Sequence, residues 1–288
     1  MAIESLHALE KASENRDIFE VILDSDCTDR GVSREASLEK MHALYAAIRR
    51  AQEGYDPALR SASGMVGGDG AKMREYVQKG KTICGDYIGQ VIAQALEMGE
   101  SNACMKCIVA APTAGSCGVL PAVLLPYQAR EGLDDNAMVR AMYIAGAIGQ
   151  VVATKASIAG AAGGCQAEIG TASAMGAAAL CYLGGGSAQA VCHAAAIAIK
   201  SMLGLVCDPI AGLVEVPCVK RNAAGAMIAM SSADMALAGI RSAIPPDEVI
   251  LAMREVGDKM DVSLKETGVG GVAGTPFGQK IAEKMGVL

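Results

Sequence analysis

Thr171–Leu183 reads TASAMGAAALCYL, thirteen residues with no charge, five of them alanine. Alanine has the highest intrinsic helix propensity, and small side chains let neighbouring helices approach closely. The stretch is therefore expected to be a helix buried on every face. It falls short of the roughly 20 apolar residues that span a bilayer, and Gly184–Ser187 (GGGS) ends it. The wider region Ala137–Leu205 is apolar on average but is interrupted by Arg140, Lys155, Gln166, Glu168, His193 and Lys200. A protein core explains that mixture better than a membrane bundle does. The whole chain has the same texture: 52 alanines and 34 glycines make up 86 of its 288 residues, aromatics are 3% and tryptophan is absent. With few bulky groups to fill space, backbone must pack close to backbone. The expected fold is all-α, a compact bundle of Ala/Gly-rich helices.

The flanking sequence supplies matching start and stop signals. Leu38, Met41, Tyr45 and Ile48 recur at helical spacing after Ser33, with Gly54 as the stop. Ser61–Gly70 (SASGMVGGDG) is a glycine-rich connection, and Ala71–Met98 forms one long helix-favouring run. Pro121 suits the first turn of a helix. Asp134 and Asp135 can cap a helix through about Val152, and Ser187 another through about Leu203. Pro245 and Pro246 open the last regular helix expected, from about Asp247, before a glycine-rich tail. VLPAVLL (Val119–Leu125) is ambiguous between helix and strand.

Charge excludes several function classes. A net charge of -6 with 25 Lys and Arg, no long basic run and no aromatic platform argues against nucleic acid as a partner. Met1–Glu10 lacks the basic start and apolar stretch of a secretory signal, so a cytoplasmic protein is expected. Ten cysteines in such a chain suggest metal binding or buried thiols before disulfides. His7, His42 and His193 are scattered, which disfavours a histidine-based zinc site. No GxxxxGK[ST], GxSxG or strand-linked GxGxxG occurs.

Chemistry concentrates in three segments where helical texture breaks: Ala111–Val119 (APTAGSCGV), Ala159–Thr171 (AGAAGGCQAEIGT) and Cys207–Asn222 (CDPIAGLVEVPCVKRN). Glycine and proline there let backbone amides come close to a ligand. Cys165, Cys207 and Cys218 each adjoin glycine or proline in an expected loop or helix end, and form the best ligand trio among the ten. Cys181 and Cys192 fall inside alanine-rich helices and read as packing thiols. Cys104 and Cys107 form a CxxC without a second pair: a redox pair, half a zinc site, or plain thiols.

GCQAEIG (Gly164–Gly170) and CDPIAGLVEVPCVKRNA (Cys207–Ala223), whose first cysteines are 42 residues apart, resemble the signature of the iron–sulfur L-serine dehydratases. APTAGSCGVLPAVL (Ala111–Leu124) and GGVAGTPFGQK (Gly270–Lys280) match too, and the likeness runs from about Ser63 onward, of the α-chain type in two-subunit enzymes. The resemblance implies residues 1–60 as an N-terminal helical segment and 61–288 as the α-chain catalytic domain, in one continuous globular unit. It implies a [4Fe-4S] cluster on Cys165, Cys207 and Cys218, one iron left open, and no pyridoxal phosphate. The open iron would act as a Lewis acid on the departing hydroxide while a base takes the Cα proton of L-serine. The resulting aminoacrylate tautomerises and hydrolyses to pyruvate and ammonia.

Thr113, Ala114, Gly115 and Ser116 resemble the family's substrate-side loop, against the alternative of an ordinary helix N-terminus. Ser157 lies in KASIAGAAGGC, where Lys155 and Ala159 replace an Asn and a Ser of the family pattern. Ser157 and Lys220 are the candidate catalytic side chains. Lys220 and Arg221 could anchor a carboxylate, balance cluster charge or form a solvated pair, and Gln166 and Glu168 could orient the adjoining cysteine. The family's Ser-His-Thr segment, a regulatory domain and a terminal cysteine are absent here, so a separate β subunit is expected to complete the site. Two alternatives remain: an L-cysteine desulfidase, and a non-catalytic metal-binding assembly subunit.

Overall fold

The computed structural model describes residues 3–287; Met1, Ala2 and Leu288, which belong to the stretch read as lacking a signal and to the cysteine-free end, lie outside the described residues. Among the described residues there are thirteen α-helices and no strand, only an isolated parallel bridge between Cys207 and Lys265. The helices are α1 (Leu6–Ala12), α2 (Ile18–Arg30), α3 (Arg34–Glu53), α4 (Asp69–Gln78), α5 (Asp86–Ala103), α6 (Val119–Glu131), α7 (Asp135–Lys155), α8 (Gly160–Gly163), α9 (Thr171–Leu183), α10 (Ala188–Met202), α11 (Cys218–Leu237), α12 (Pro246–Lys259) and α13 (Pro276–Lys284).

The quoted stretch is α9, the central pillar, with every residue from Thr171 to Cys181 buried. Helices α6, α7, α10 and α11 surround it. Small residues make this possible. At Gly225 of α11, a Cβ would stand only 2.7 Å from Ile169 Cγ2, so a side chain there would force the crossing apart. Alanine buries little area per residue, but it also loses no side-chain rotamer freedom on folding. Such a core gains stability from many close helix contacts at low entropic cost.

Helix ends follow the capping residues. The hydroxyls of Ser33 and Ser187 and the carboxylate of Asp134 each accept an N–H from the first turn of α3, α10 and α7, contributing about 1 kcal/mol apiece. VLPAVLL is helical, forming the start of α6. The run Ala71–Met98 is not one helix. Gly80 and Gly85 take φ of +61° and +82° and divide it into α4 and α5. Beyond α12 the tail adds a further helix, α13, which Pro276 opens with Thr275 as its cap.

Helices α1–α3 pack into the same apolar core as the rest, through Leu6, Leu9, Phe19, Leu23, Tyr45 and Ile48. Arg140 of α7 lies over the Phe19 ring at 5.0 Å. Ser61–Gly70 is laced down: Ser61 and Ser63 donate to Glu215, and the amides of Asp69 and Gly70 donate to Glu100. Among the described residues one helix, α7, is long and apolar enough to cross a membrane by length and composition alone, and 67% of its most apolar stretch is buried inside the protein.

Candidate active site

Three separate stretches of backbone deliver Cys165, Cys207 and Cys218 to one buried neighbourhood, where they are 2%, 3% and 7% exposed. Cys165 follows the α8 turn and Gly164, which holds a left-handed φ of +75°. Behind it, Gln166–Gly170 widen into a π-helical turn before α9. Such turns are rare and often mark functional sites. Gln166 is itself buried and joins three elements: its amide N–H donates to Leu205 O (2.9 Å), its Nε2 to Met253 O (2.9 Å), and its Oε1 accepts from Gly204 N (3.0 Å). The segment leading to Cys207 is thus fastened beside Cys165.

Cys207 is held from the other side by the tail. Its N–H donates to Leu264 O (2.9 Å), and Glu266 N–H donates to Cys207 O (2.6 Å). Glu266 adopts φ +62°, unusual for a residue with a side chain. The neighbouring Asp208 accepts the Val272 N–H at 2.8 Å. Gly271 is required there, because a Cβ would fall 2.2 Å from the Asp208 carboxylate. Cys218 opens α11. One turn on, Asn222 is buried and ties that helix to the Thr113 loop: Oδ1 accepts Gly118 N–H (2.8 Å), while Nδ2 donates to Gly115 O (2.8 Å) and Cys218 O (2.9 Å).

The loop itself is internally braced. Ser116, fully buried, lies 3.0 Å from the Thr113 hydroxyl and accepts the Thr113 N–H at 3.3 Å. Gly115 is buried and Ala114 exposed. The Thr113 hydroxyl is near enough to favour the Glu168 carboxylate, whose Oε2 is 3.9 Å from Cys207 Sγ. Cys165, Cys207, Cys218, Thr113 and Glu168 therefore form one constellation.

Electrostatics hold the thiols neutral. Burial is the main cause, pushing Cys165 up to about 11 and Cys218 up to about 12. Cys207 is also raised, by burial first and then by Glu168 and the other two cysteines. Arg221 works the other way, favouring the thiolates of Cys165 and Cys218. Its guanidinium is 2.9 Å from Asp208 Oδ1 and donates to Val206 O at 2.8 Å. Burial likewise raises Glu168, and Glu266 adds repulsion.

This donor set suits an iron–sulfur cluster. A single tetrahedral ion with bonds of about 2.3 Å needs its sulfurs within about 4 Å of one another. Among the described residues no three His, Cys, Asp or Glu are gathered to hold one ion. Cys165 and Cys218 both raise Cys207, and Cys165 raises Cys218, so the three thiols share one neighbourhood, and thiolates are the ligands that hold iron–sulfur groups. Gly160 lets Cys207 and Glu168 pack directly against the α8 backbone: a Cβ there would lie 2.7 Å from Cys207 Sγ and 2.8 Å from Glu168 Oε2. A bound metal group would supply the positive charge that lets buried thiols ionise.

The other expected residues are placed elsewhere. Lys220 pairs with Asp69 at 3.1 Å on an exposed face. Ser157 accepts the Ala159 N–H and lines a cavity of about 370 Å³ with Gln166, Arg254 and Asp258. Cys104 is half-buried and Cys107 exposed, while Cys181 and Cys192 are buried in α9 and α10. Asn222 and Asp208 lie inside the Cys207–Asn222 segment, but no residue pattern there assigns them a role. The signal for Asn222 was present, since it falls four residues after Cys218 on a helix, the spacing that places both on one face.

Comparison with known proteins converges on one family. The profile described as Serine dehydratase alpha chain matches residues 7–273. The chain is 49% identical over 245 residues to a probable L-serine dehydratase α chain of Bacillus subtilis, covering 85% of this chain and 80% of that one. It is 43% identical over 265 residues to the L-serine dehydratase α chain of Peptoniphilus asaccharolyticus, covering 92% and 91%. With an L-serine dehydratase of Escherichia coli it shares 45% identity over 183 residues, 62% of this chain and 40% of that protein.

Proposed function

The chain belongs to the serine dehydratase α-chain family, and from that premise we propose that it is the catalytic α subunit of a cytoplasmic iron–sulfur L-serine ammonia-lyase, working with a β subunit. The observation that carries this reading is the convergence of Cys165, Cys207 and Cys218, from three segments, in one buried neighbourhood. The reaction removes the Cα proton and the Cβ hydroxyl of L-serine, and the resulting enamine yields pyruvate and ammonia. A [4Fe-4S] cluster held by the three thiolates supplies, when bound, Lewis-acid stabilisation of the departing hydroxide.

The chain's own residues have separable tasks. The three cysteines bind the group through sulfur, which requires losing three thiol protons. Arg221 offsets part of that negative charge at Cys165 and Cys218. Gln166 and Asn222 fix the backbone on either side, the first joining the segments of Cys165 and Cys207, the second joining Cys218 to the Thr113 loop. Thr113 presents its hydroxyl to the same space as Glu168. Buried walls from Val119, Ile169, Ala172 and Met202 keep water from the thiols.

The test is anaerobic co-expression with the candidate β chain, then iron, sulfide and activity measurements. About four irons per α chain are expected, lost in Cys165→Ala, Cys207→Ala and Cys218→Ala, with pyruvate released from L-serine in preference to L-cysteine. Stoichiometric zinc without iron would overturn the cluster. A fully loaded complex that makes no pyruvate from L-serine would overturn the lyase.

A further inference from the structure

Residues 261–274, between α12 and α13, pair with the backbone of a buried cysteine yet are hardly buried themselves. Only Ala273 among them is buried, while Val262 and Val269 are 71% and 64% exposed; Cys207 is 3% exposed. The segment is knotted internally. Leu264 N–H donates to Asp261 O (3.0 Å), Ser263 N–H to Asp261 Oδ1 (2.8 Å) and Gly270 N–H to Ser263 O (2.9 Å). Its hydrogen bonds to the rest of the protein fall on two consecutive residues. Cys207 N–H donates to Leu264 O (2.9 Å), Glu266 N–H to Cys207 O (2.6 Å), and Val272 N–H to Asp208 Oδ2 (2.8 Å). Glu266 makes its bond from φ +62°, a conformation that disfavours a side chain, so closure carries local strain. The two flanking helices stay anchored, α12 through buried Val249, Ile250 and Met253, and α13 through Ala282 against Ile210 and Ala211. Cys165 and Cys218, by contrast, belong to a helical turn and a helix.

Segments held by few buried apolar contacts and by surface hydrogen bonds open locally, below the free energy of global unfolding. Resting on the cluster reading above, we propose that residues 261–274 are a strap that swings off Cys207 and Asp208 as one unit. Opening admits the metal group to a site that is otherwise closed, and closing shields it afterwards. The pivots are the end of α12 and Thr275, the cap of α13. The Val272 bond is the one made to a carboxylate and so the strongest of the three; without it the open population rises about 10- to 100-fold.

The test uses the full α chain, stripped of iron with a chelator and carrying Val272→Pro. Proline removes the amide that donates to Asp208 and leaves the two bonds at Cys207 untouched. Hydrogen exchange follows the Cys207 and Glu266 amides, and iodoacetamide labelling with mass spectrometry follows the thiols. Cys181 and Cys192, fully buried in α9 and α10, are the internal controls. In the unsubstituted chain the two amides should exchange together and faster than those of α9. Val272→Pro should speed both, and the labelling of Cys207, about 10- to 100-fold, with Cys181 and Cys192 unchanged. Uptake of ferrous iron and sulfide should quicken while the final iron content stays the same. Exchange at Cys207 and Glu266 as slow as in α9 would overturn the strap, and so would Cys207 labelling that ignores Val272→Pro. Faster opening with unchanged iron uptake would overturn its role in loading. Where Val272→Pro loosens the whole fold, shown by reaction of Cys181 and Cys192, the unsubstituted chain in low urea decides. Its two strap amides must then share one opening with a urea slope well below that of α9. Failure of the cluster reading shows separately, as an unsubstituted αβ complex that takes up no iron although the strap opens.

Discussion

Asn222→Ala tests how the site is braced. Asn222 is 1% exposed and makes three hydrogen bonds, at 2.8, 2.8 and 2.9 Å, to Gly118 N, Gly115 O and Cys218 O. The first two partners are buried loop groups that lie too deep for water to replace the lost bond. Each orphaned buried group costs about 1–3 kcal/mol, so two amount to about 2–6 kcal/mol before any cavity term. Total stabilities run to only about 5–15 kcal/mol, so the loss is large. Urea unfolding of the α chain, followed by circular dichroism, should show a marked fall in midpoint with little change in slope. Asn222→Asp keeps the volume and the acceptor for Gly118 but replaces the donor with an oxygen facing two carbonyls. It should be destabilised as well, which separates hydrogen bonding from simple loss of volume. A loss below about 1 kcal/mol in Asn222→Ala, within the range of an ordinary surface change, would refute the bracing argument.

Arg221→Met should destabilise by about 3–5 kcal/mol, because it leaves Asp208 buried without its cation, and adding Asp208→Asn should restore much of the loss in a double-mutant cycle. His193 is buried, accepts the Ser242 N–H at 3.1 Å, and is held below its ordinary value of 6.5 by burial, assisted by Arg241 and Lys200 and opposed by Glu10. As pH falls below 6.5 the unfolded chain takes up a proton that the folded chain resists, so stability present above that value should decline toward acid; in His193→Asn, which keeps an acceptor, urea midpoints should decline less over the same window.

What was legible in the sequence was whatever is decided locally. Ser33, Asp134 and Ser187 announce helix starts because a cap acts on amides two or three residues away. Thr171–Leu183 announces burial because a run without charge or aromatic rings has little else to do. The break between α4 and α5 was missed: Val77–Ile83 is compatible with helix, and only the left-handed Gly80 and Gly85 reveal the turn. The tail's second helix was hidden by its glycines, although Thr275 and Pro276 are a usable start signal. The π turn at Gln166–Gly170 has no compositional signature, since it depends on Gln166 being held by Leu205, Met253 and Gly204. At the site, cysteines beside glycine and proline could be picked out, and they lie together. Lys220 and Arg221 were indistinguishable as neighbours in sequence, yet consecutive helix residues point about 100° apart. One faces Asp69 and solvent, the other Asp208 and the thiols.

The tail that clasps Cys207 and Asp208 also sets a schedule. Leu264, Glu266 and Val272 emerge from the ribosome roughly 60 residues after Cys207, and at about 5–20 residues per second that interval lasts on the order of 3–12 s. During it the nascent chain carries its most valuable sulfurs without the clasp that secures one side of them. On the cluster reading proposed above, the thiol at Cys207 is then open to oxidants, so slower translation through the last quarter of the message should lower the fraction of chains able to take up the group.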